Sequence, residues 1–214
     1  MKCITPRKSH RERNLRLSLS LLGTLLILAC AGMEDRRSVP SEELTSEGFT
    51  ISETLRPRMG LRSDFALAEE ALEAGELERA ISILQPITES DSGFAAPHIN
   101  LGMAYRESGQ LKEAEAALLR ALEVSPRHPV ALNELGIVYR RLGRFDEARD
   151  SYERALAFHE SFHYARKNLG ILCDLFLSDV GCALENYQAY REAVPEDADV
   201  AIWIADLEAR AQSR

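Results

Sequence analysis

The sequence lacks most of the features that mark unusual classes of protein. Twelve Gly and eight Pro in 214 residues are too few for a collagen-like or low-complexity chain. Four Cys are too few for a disulfide-dense scaffold, and no apolar run approaches the roughly 20 residues that a membrane-spanning helix needs. What remains, 45% hydrophobic and 28% charged residues, predicts one or two folded domains with a sizeable core.

An excess of positive charge is also missing. The formal net charge is −8, and residues 1–29 hold six basic side chains and one acidic one, so the rest of the chain carries −13. Such a surface repels phosphate backbones and anionic headgroups, which argues against nucleic acid as a partner. The glycine-rich phosphate-binding motifs and the GxSxG of serine hydrolases are absent as well. We therefore expect no catalysis, no cofactor and no small-molecule substrate.

The first 29 residues have the pattern of a signal peptide. Six basic side chains between Lys2 and Arg16 precede an uncharged run of 13 residues, Leu17 to Ala29. The run ends in Ile27, Leu28, Ala29 and Cys30, which resembles the lipobox of bacterial lipoproteins. The resemblance implies that Cys30 becomes a lipidated N-terminus, with acyl chains such as palmitate. Ala31 after it suggests the periplasmic face of the outer membrane. The alternatives are an ordinary signal sequence or an anchor with a coincidental cysteine.

Residues 30–60 show no sustained apolar period and are rich in Ser, Glu, Arg, Pro and Gly. This composition predicts a flexible tether, with an r.m.s. reach of about 30 Å for 30 residues. A short strand or helix around Phe49 to Leu55 remains the alternative.

From residue 61 the chain repeats with a period of 34 residues. Each unit has a leucine at the same position: Leu67, Leu101, Leu135 and Leu169. A small residue directly follows it: Ala68, Gly102, Gly136 and Gly170. Three positions further lies Ala71, Tyr105, Tyr139 or Cys173. Gly75, Gly109 and Gly143 follow. Two helical faces alternate within each period, so the sequence predicts four helical hairpins, at about 61–94, 95–128, 129–162 and 163–196.

A further amphipathic helix is predicted over residues 197–214. Val200, Trp203, Ile204, Leu207 and Ala211 form one stripe, and acidic residues precede it. It covers the open end of the stack, so Trp203 is interpreted as a core residue rather than a binding anchor.

The 34-residue pattern over 61–195 resembles the tetratricopeptide repeat (TPR). The resemblance implies an all-α solenoid of four hairpins plus the capping helix, acting as a protein-interaction scaffold. By the resemblance, the concave groove is lined mainly by the first helix of each unit. The residues in those phases are Ile99, Asn100, Met103 and Arg106; Asn133, Ile137 and Arg140; Tyr164, Lys167, Asn168 and Ile171.

The groove residues predict a mode of recognition. Asn133 and Asn168 are expected to hydrogen-bond a peptide backbone. Arg106, Arg140 and Lys167 are expected to pair with acidic side chains of the partner, and Met103, Ile137 and Ile171 to contact an apolar side chain. Ile171 follows Lys167 where a second cation of the chaperone-type carboxylate clamp would stand, so a C-terminal EEVD-like ligand is disfavoured. The alternative is that the groove residues are ordinary solvated residues and that the partner binds to the loops or to the convex face.

One string points instead to an enzyme. His159, Glu160 and His163 match the HExxH of zinc metalloproteases, in which two histidines bind zinc from one helical face. The string falls between the third and fourth units, where a continuous helix would break the solenoid. We expect an inter-repeat loop with two surface histidines, and keep a zinc-dependent hydrolase as the alternative function.

Cys173 and Cys182 remain once Cys3 and Cys30 are set aside. Cys173 stands in phase with Tyr139, and Cys182 stands in phase with Ala148, on the two helices of the fourth hairpin. We predict a disulfide in an oxidising periplasm, with two separately buried thiols as the alternative because a one-residue insertion near Asp179 blurs the register. Taken together, the sequence predicts a lipid-anchored, non-catalytic scaffold that binds a protein or peptide of the cell envelope. TPR lipoproteins such as type IV pilus pilotins and murein-enzyme scaffolds offer the nearest resemblance.

Overall fold

A computed structural model of the chain describes residues 40–45, 48–53, 59–90 and 93–212. The predicted signal peptide and Cys30 lie outside the described residues. In the described part, nine α-helices follow two β-strands: β1 Pro40–Thr45, β2 Gly48–Glu53, α1 Met59–Glu73, α2 Leu77–Glu89, α3 Ala95–Glu107, α4 Leu111–Val124, α5 Pro129–Arg141, α6 Phe145–Phe158, α7 His163–Leu175, α8 Val180–Ala193 and α9 Ala198–Gln212. The all-α solenoid of four hairpins and a capping helix is confirmed.

The two strands correct part of the predicted tether. β1 and β2 pair as an antiparallel hairpin in which Pro40 lies opposite Glu53 and Thr45 opposite Gly48. Thr50 and Ile51 of β2 are β-branched residues that favour extended backbone. The alternative of a short strand near Phe49 therefore describes this segment better than a tether without secondary structure.

Consecutive helices pack against each other along the whole stack. In addition, α1 contacts α3, α3 contacts α5, and α5 contacts α7. The odd-numbered helices therefore lie side by side, and they form one face of the solenoid from α1 to α7. Among the helices that the structure describes, none is long and apolar enough to cross a membrane.

Glycine–large residue pairs set the distance between the helices of a hairpin. A Cβ atom added to Gly102 would lie 2.6 Å from Leu118, and one added to Gly136 would lie 2.5 Å from the Tyr152 ring. Gly170 faces Tyr187 in the same way, again at 2.5 Å. The large partner is fully buried in each case, so its side chain occupies the space that the missing Cβ leaves. This confirms that the small residue of the period permits close helix packing.

The capping helix α9 closes the C-terminal end. Val200, Ile204 and Leu207 are buried against the last hairpin, as the apolar stripe predicts. Trp203 is only partly buried, with its ring 5.4 Å from that of Tyr187, and Ala211 is exposed. Only three of the five residues of the predicted stripe are therefore fully buried against the last hairpin.

The fourth hairpin carries a cross-link between its helices. The Sγ atoms of Cys173 and Cys182 lie 1.98 Å apart as a disulfide, and their Cα atoms are 5.9 Å apart. The predicted register is corrected, because the inserted residue makes Ala183 the buried counterpart of Ala148 and leaves Cys182 one position before it, half-buried. From that position Cys182 still reaches Cys173 on α7.

Candidate partner-binding groove

A cleft of about 380 Å³ lies between α5 and α7, on the face formed by the odd-numbered helices. Six of the predicted groove residues line it: Arg106, Asn133, Ile137, Tyr164, Lys167 and Asn168. Its volume is in the range of sites that bind small ligands or inserted side chains. The structure therefore brings half of the predicted groove together at one place.

Two asparagines face each other across this cleft. The Asn168 side-chain amide donates to Asn133 Oδ1 at 2.9 Å, which joins α7 to α5. Asn133 is only 5% exposed, and its own amide approaches Glu134 at 3.5 Å. Asn168 is half-buried, so its carbonyl and its second amide hydrogen remain for a bound molecule.

Arg106 is bound by carboxylates of the chain itself, which corrects the expectation of a free cation. Its guanidinium lies 2.8 Å from Glu134 and 2.9 Å from Glu107. The Arg106 and Glu134 side chains are only 14% and 8% exposed. Burial raises the pKa of the Glu134 carboxyl, and the neighbouring Arg106 opposes that rise. Because the pair is desolvated and already neutral, Arg106 is unavailable to an acidic partner.

Lys167 is paired in the same manner. Its ammonium donates to Asp197 at 2.6 Å, and Tyr190 donates to the same Asp197 oxygen at 2.9 Å. The ammonium also lies 5.1 Å from the Tyr190 ring and 5.4 Å from the Trp203 ring. The hydrogen bond from Lys167 lowers the pKa of Asp197. Lys167 therefore holds the segment that leads into α9, which is a structural role that its repeat phase does not indicate.

The other predicted groove residues lie outside the cleft. Arg140 stacks 5.8 Å from the Phe176 ring, and its buried Nε has no hydrogen-bond partner. Asn100 is fully buried in α3, with neither side-chain polar atom bonded. Met103 and Ile171 are partly buried and pack against the core. Ile99 is fully buried as well. These five residues are therefore placed for packing rather than for contact with a ligand in this cleft.

Several residues of the cleft were not predicted. Glu134 directly follows Asn133, and Tyr190 comes from the second helix of the fourth unit. Glu107, Val130 and Phe162 complete the set. The acidic residue next to an asparagine was visible in the sequence, but its pairing with Arg106, 28 positions earlier, was not. The contribution of Tyr190 has no signal in a pattern that assigns the groove to the first helices.

The HExxH string does not form a helical zinc site. His159 follows the last residue of α6, Glu160 lies in the turn, and His163 is the first residue of α7. His159 Nε2 is 3.2 Å from the Arg127 carbonyl, and the His163 ring lies 4.4 Å from the Tyr164 ring. The inter-repeat turn is as predicted, whereas both histidines are half-buried rather than on the open surface.

One other group of potential metal ligands lies in the described residues. Cys173, Asp179 and Cys182 place their ligand atoms within 4.8 Å of one another. The disulfide uses both sulfurs, and Asp179 accepts from the Cys182 backbone amide at 3.0 Å as the N-cap of α8. This geometry is that of a cross-linked turn.

Known proteins share this architecture. Residues 93–161 match the tetratricopeptide repeat family model, whereas no curated protein matches the sequence. A thermophilic TPR protein of Thermus thermophilus is 25% identical, with a TM-score of 0.60 over 69% of this chain and 80% of that one. PilF of Pseudomonas aeruginosa is 22% identical, with a TM-score of 0.65 over 72% and 69%.

A third solved structure contains a bound peptide. It is the first TPR of Spaghetti (RPAP3) with the HSP90 peptide SRMEEVD, 22% identical, with a TM-score of 0.54 over 58% of this chain and 97% of that one. These similarities describe the fold, and the matched family model covers the second and third hairpins. The same period and hairpin geometry continue on both sides of the matched residues, so the folded part of this chain shares the fold of tetratricopeptide repeat solenoids.

Proposed function

We propose that this protein is a lipid-anchored, non-catalytic scaffold of the bacterial cell envelope, and that the cleft between α5 and α7 binds a peptide segment of its partner. The observation that carries the proposal is the asparagine pair, Asn168 with Asn133, beside a cleft of about 380 Å³. An amide with a free donor and a free acceptor is suited to a peptide backbone, which offers both groups at every residue. TPR folds generally serve as interaction scaffolds, which supports a binding role for this cleft.

The RPAP3 structure supports the peptide-binding part of the proposal, because its TPR holds an HSP90 peptide. The envelope part is supported by the sequence of residues 1–30. The resemblance of the lipobox and the repeats to envelope TPR lipoproteins favours an assembly role, such as that of a pilus or murein-processing complex, and PilF shares the fold. This last step is an analogy of fold, since sites rather than folds determine function.

The test of the groove is a substitution that fills the cleft. Asn168→Arg places a long side chain at the cleft and removes the hydrogen bond from Asn168 to Asn133. Gln188→Arg is the matched control, because Gln188 is an exposed amide residue on α8 of the same hairpin. In vivo cross-linking and pull-down from envelope extract, read by mass spectrometry, are expected to recover a partner with wild type and Gln188→Arg.

The Asn168→Arg variant is expected to lose that partner while keeping the wild-type helical circular dichroism. A partner recovered equally with both variants contradicts the groove assignment. The partner contacts would then be assigned to the turns or the outer helices.

The anchor has a separate test. Cys30→Ser removes the residue that the lipobox resemblance assigns to acylation, and we expect the variant to leave the membrane fraction. Mass spectrometry of the wild-type protein is expected to show an acylated N-terminal Cys30. A Cys30→Ser protein that stays membrane-bound with residues 1–29 intact contradicts the lipoprotein assignment, but it leaves the groove assignment standing.

A further inference from the structure

Among the described residues that line the cleft, no cation is free to pair with an acidic ligand. The two cations that line it are Arg106 and Lys167, and their partners in the chain are Glu107, Glu134 and Asp197. Glu107 and Glu134 balance the two cations within the lining, and Asp197, which contacts Lys167 from beside the cleft, brings the charge of these ion pairs to −1. The rest of the chain adds to it, because residues 30–214 carry −13.

An incoming carboxylate would have to compete with these pairs. If it drew Arg106 away, the Glu134 carboxylate, 8% exposed, would remain buried without its counterion. If it drew Lys167 away, Asp197 would lose the ammonium at 2.6 Å and keep only its Tyr190 and backbone contacts. Like charges brought together at an interface suppress binding of the wrong partner. The ion pairs therefore select against acidic segments.

Apart from the Glu107 carboxylate, the groups of the cleft that remain accessible are neutral. Asn168 keeps a carbonyl oxygen and one amide hydrogen, while Ile137 and Tyr164 are half-buried at the cleft. This set matches a main-chain amide together with one apolar side chain. The exposed carboxylate of Glu107, at 55% side-chain exposure, adds an attractive contact for a cation of the partner.

We infer that the cleft binds an uncharged or basic internal peptide segment, which inserts one apolar side chain and hydrogen-bonds its backbone to Asn168. The inference rests on the proposed function, since it names the chemistry of the partner for that same groove. It opposes the sequence-based expectation that Arg106 and Lys167 recruit acidic side chains. The reason is that both cations are already bound within the chain.

A peptide library provides the probe. Random dodecapeptides are displayed on phage through their C-termini, so that no free terminal carboxylate is present, and are selected against the full protein in detergent. Enriched peptides are then synthesised with acetylated and amidated ends. Each is made with Gln, Glu or Lys at the position next to its apolar residue, and its Kd is measured by fluorescence anisotropy.

We expect the Glu peptide to bind at least tenfold more weakly than the Gln peptide, and the Lys peptide to bind at least as tightly. Glu107→Lys is expected to reduce the Glu penalty to about threefold, because it reverses an accessible charge. Glu153→Lys, an exposed carboxylate on α6, is the matched control and is expected to leave the penalty unchanged. Binding of all three peptides is expected to fall at least tenfold in Asn168→Arg.

The failures are distinguishable. Glu peptides that bind as tightly as Gln peptides, yet lose binding in Asn168→Arg, overturn the inference about charge and leave the groove in place. Peptides that bind Asn168→Arg as well as wild type, or a library without any enriched peptide, overturn both. Self-association of the protein that Asn168→Arg abolishes identifies a second copy as the occupant, and also overturns the inference.

Discussion

The third and fourth hairpins have the same architecture but reach it through different chemistry. In the third, Gly143 adopts φ +77° and the Arg144 amide bonds to the Tyr139 carbonyl, which closes the turn between α5 and α6. The fourth hairpin has one more residue in this turn. There Ser178 adopts φ 55°, the Asp179 amide bonds to the Cys173 carbonyl, and the disulfide joins α7 to α8.

The entries into the two hairpins also differ. Buried His128 is the N-cap of α5, and its Nδ1 accepts from the Ala131 amide at 3.4 Å. Phe162 occupies the equivalent place before α7 and makes no side-chain cap bond. Yet a Cβ atom added to Gly136 or Gly170 would lie at the same distance, 2.5 Å, from the ring of Tyr152 or Tyr187. The helices of both hairpins therefore pack at the same distance, although their turns and N-caps are built from different residues.

The largest expected effect comes from opening the disulfide. We expect Cys173→Ser with Cys182→Ser to lower the free energy of unfolding by about 3 kcal/mol, because the bond closes a loop of about ten residues in the unfolded chain. Urea unfolding measures the change. Reduced wild type is the control and should match the double variant. Two reactive thiols per chain in unfolded, unreduced protein would show that the bond is absent.

Gly136→Ala is expected to lower the free energy of unfolding by about 2 to 3 kcal/mol. The added Cβ would lie 2.5 Å from the Tyr152 ring, whose side chain is fully buried. Gly170→Ala makes the same clash with Tyr187 in the cross-linked hairpin. Urea unfolding of both variants compares the two hairpins, and we expect the free energy of unfolding to fall by the same amount in each. A much smaller loss in either hairpin would mean that its helices separate easily.

The third hairpin is expected to be the more sensitive to pH. Burial lowers the pKa of His128 to about 3, with a smaller effect from His159. Below the unfolded pKa of about 6.5 the unfolded chain takes up a proton that the folded chain excludes. The contribution of His128 to stability is therefore complete above pH 6.5 and is lost as the pH falls.

For one such group the loss between pH 7.5 and 5.0 is about 2 kcal/mol. His128→Asn retains a capping side chain and removes the titration. We expect the stability difference between this variant and wild type to change by about that amount over this range, which urea unfolding at both pH values measures. His163→Asn, at the half-buried start of the fourth hairpin, is the comparison. A difference that does not vary with pH would contradict the assignment.

The smallest effect is expected at the fourth turn itself. Ser178→Gly removes the side chain from a left-handed conformation, and should raise the free energy of unfolding by about 1 kcal/mol. The matched substitution Gly143→Ser should lower it by a similar amount in the third turn. Thermal and urea unfolding check both. Opposite signs would indicate that the extra residue lets the turn relax around a serine.

Much of the fold could be predicted because each period repeats the apolar and small residues that pack one helical hairpin. Leu135, Gly136 and Gly143 recur in phase with their counterparts. The two glycines act locally, since Gly136 makes room for Tyr152 of the same hairpin and Gly143 supplies the positive φ of the turn. The groove was harder to predict, since its residues come from different repeat units and contact each other only in the folded solenoid. Asn133 and Asn168 were predicted as groove residues and share a hydrogen bond, whereas buried Asn100 does not line the cleft.

The sequence by itself determined the helical hairpins, the capping helix and the position of the turns, because local periodicity and glycine placement act over a few residues. Only the tertiary structure decided which side chains are free to bind. Arg106 meets Glu134 across 28 positions and Lys167 meets Asp197 across 30, and both cations are neutralised by contacts that no local pattern records. A cation that is desolvated and paired within the fold is not available to a partner, and pairing between helices is a property of the packed solenoid.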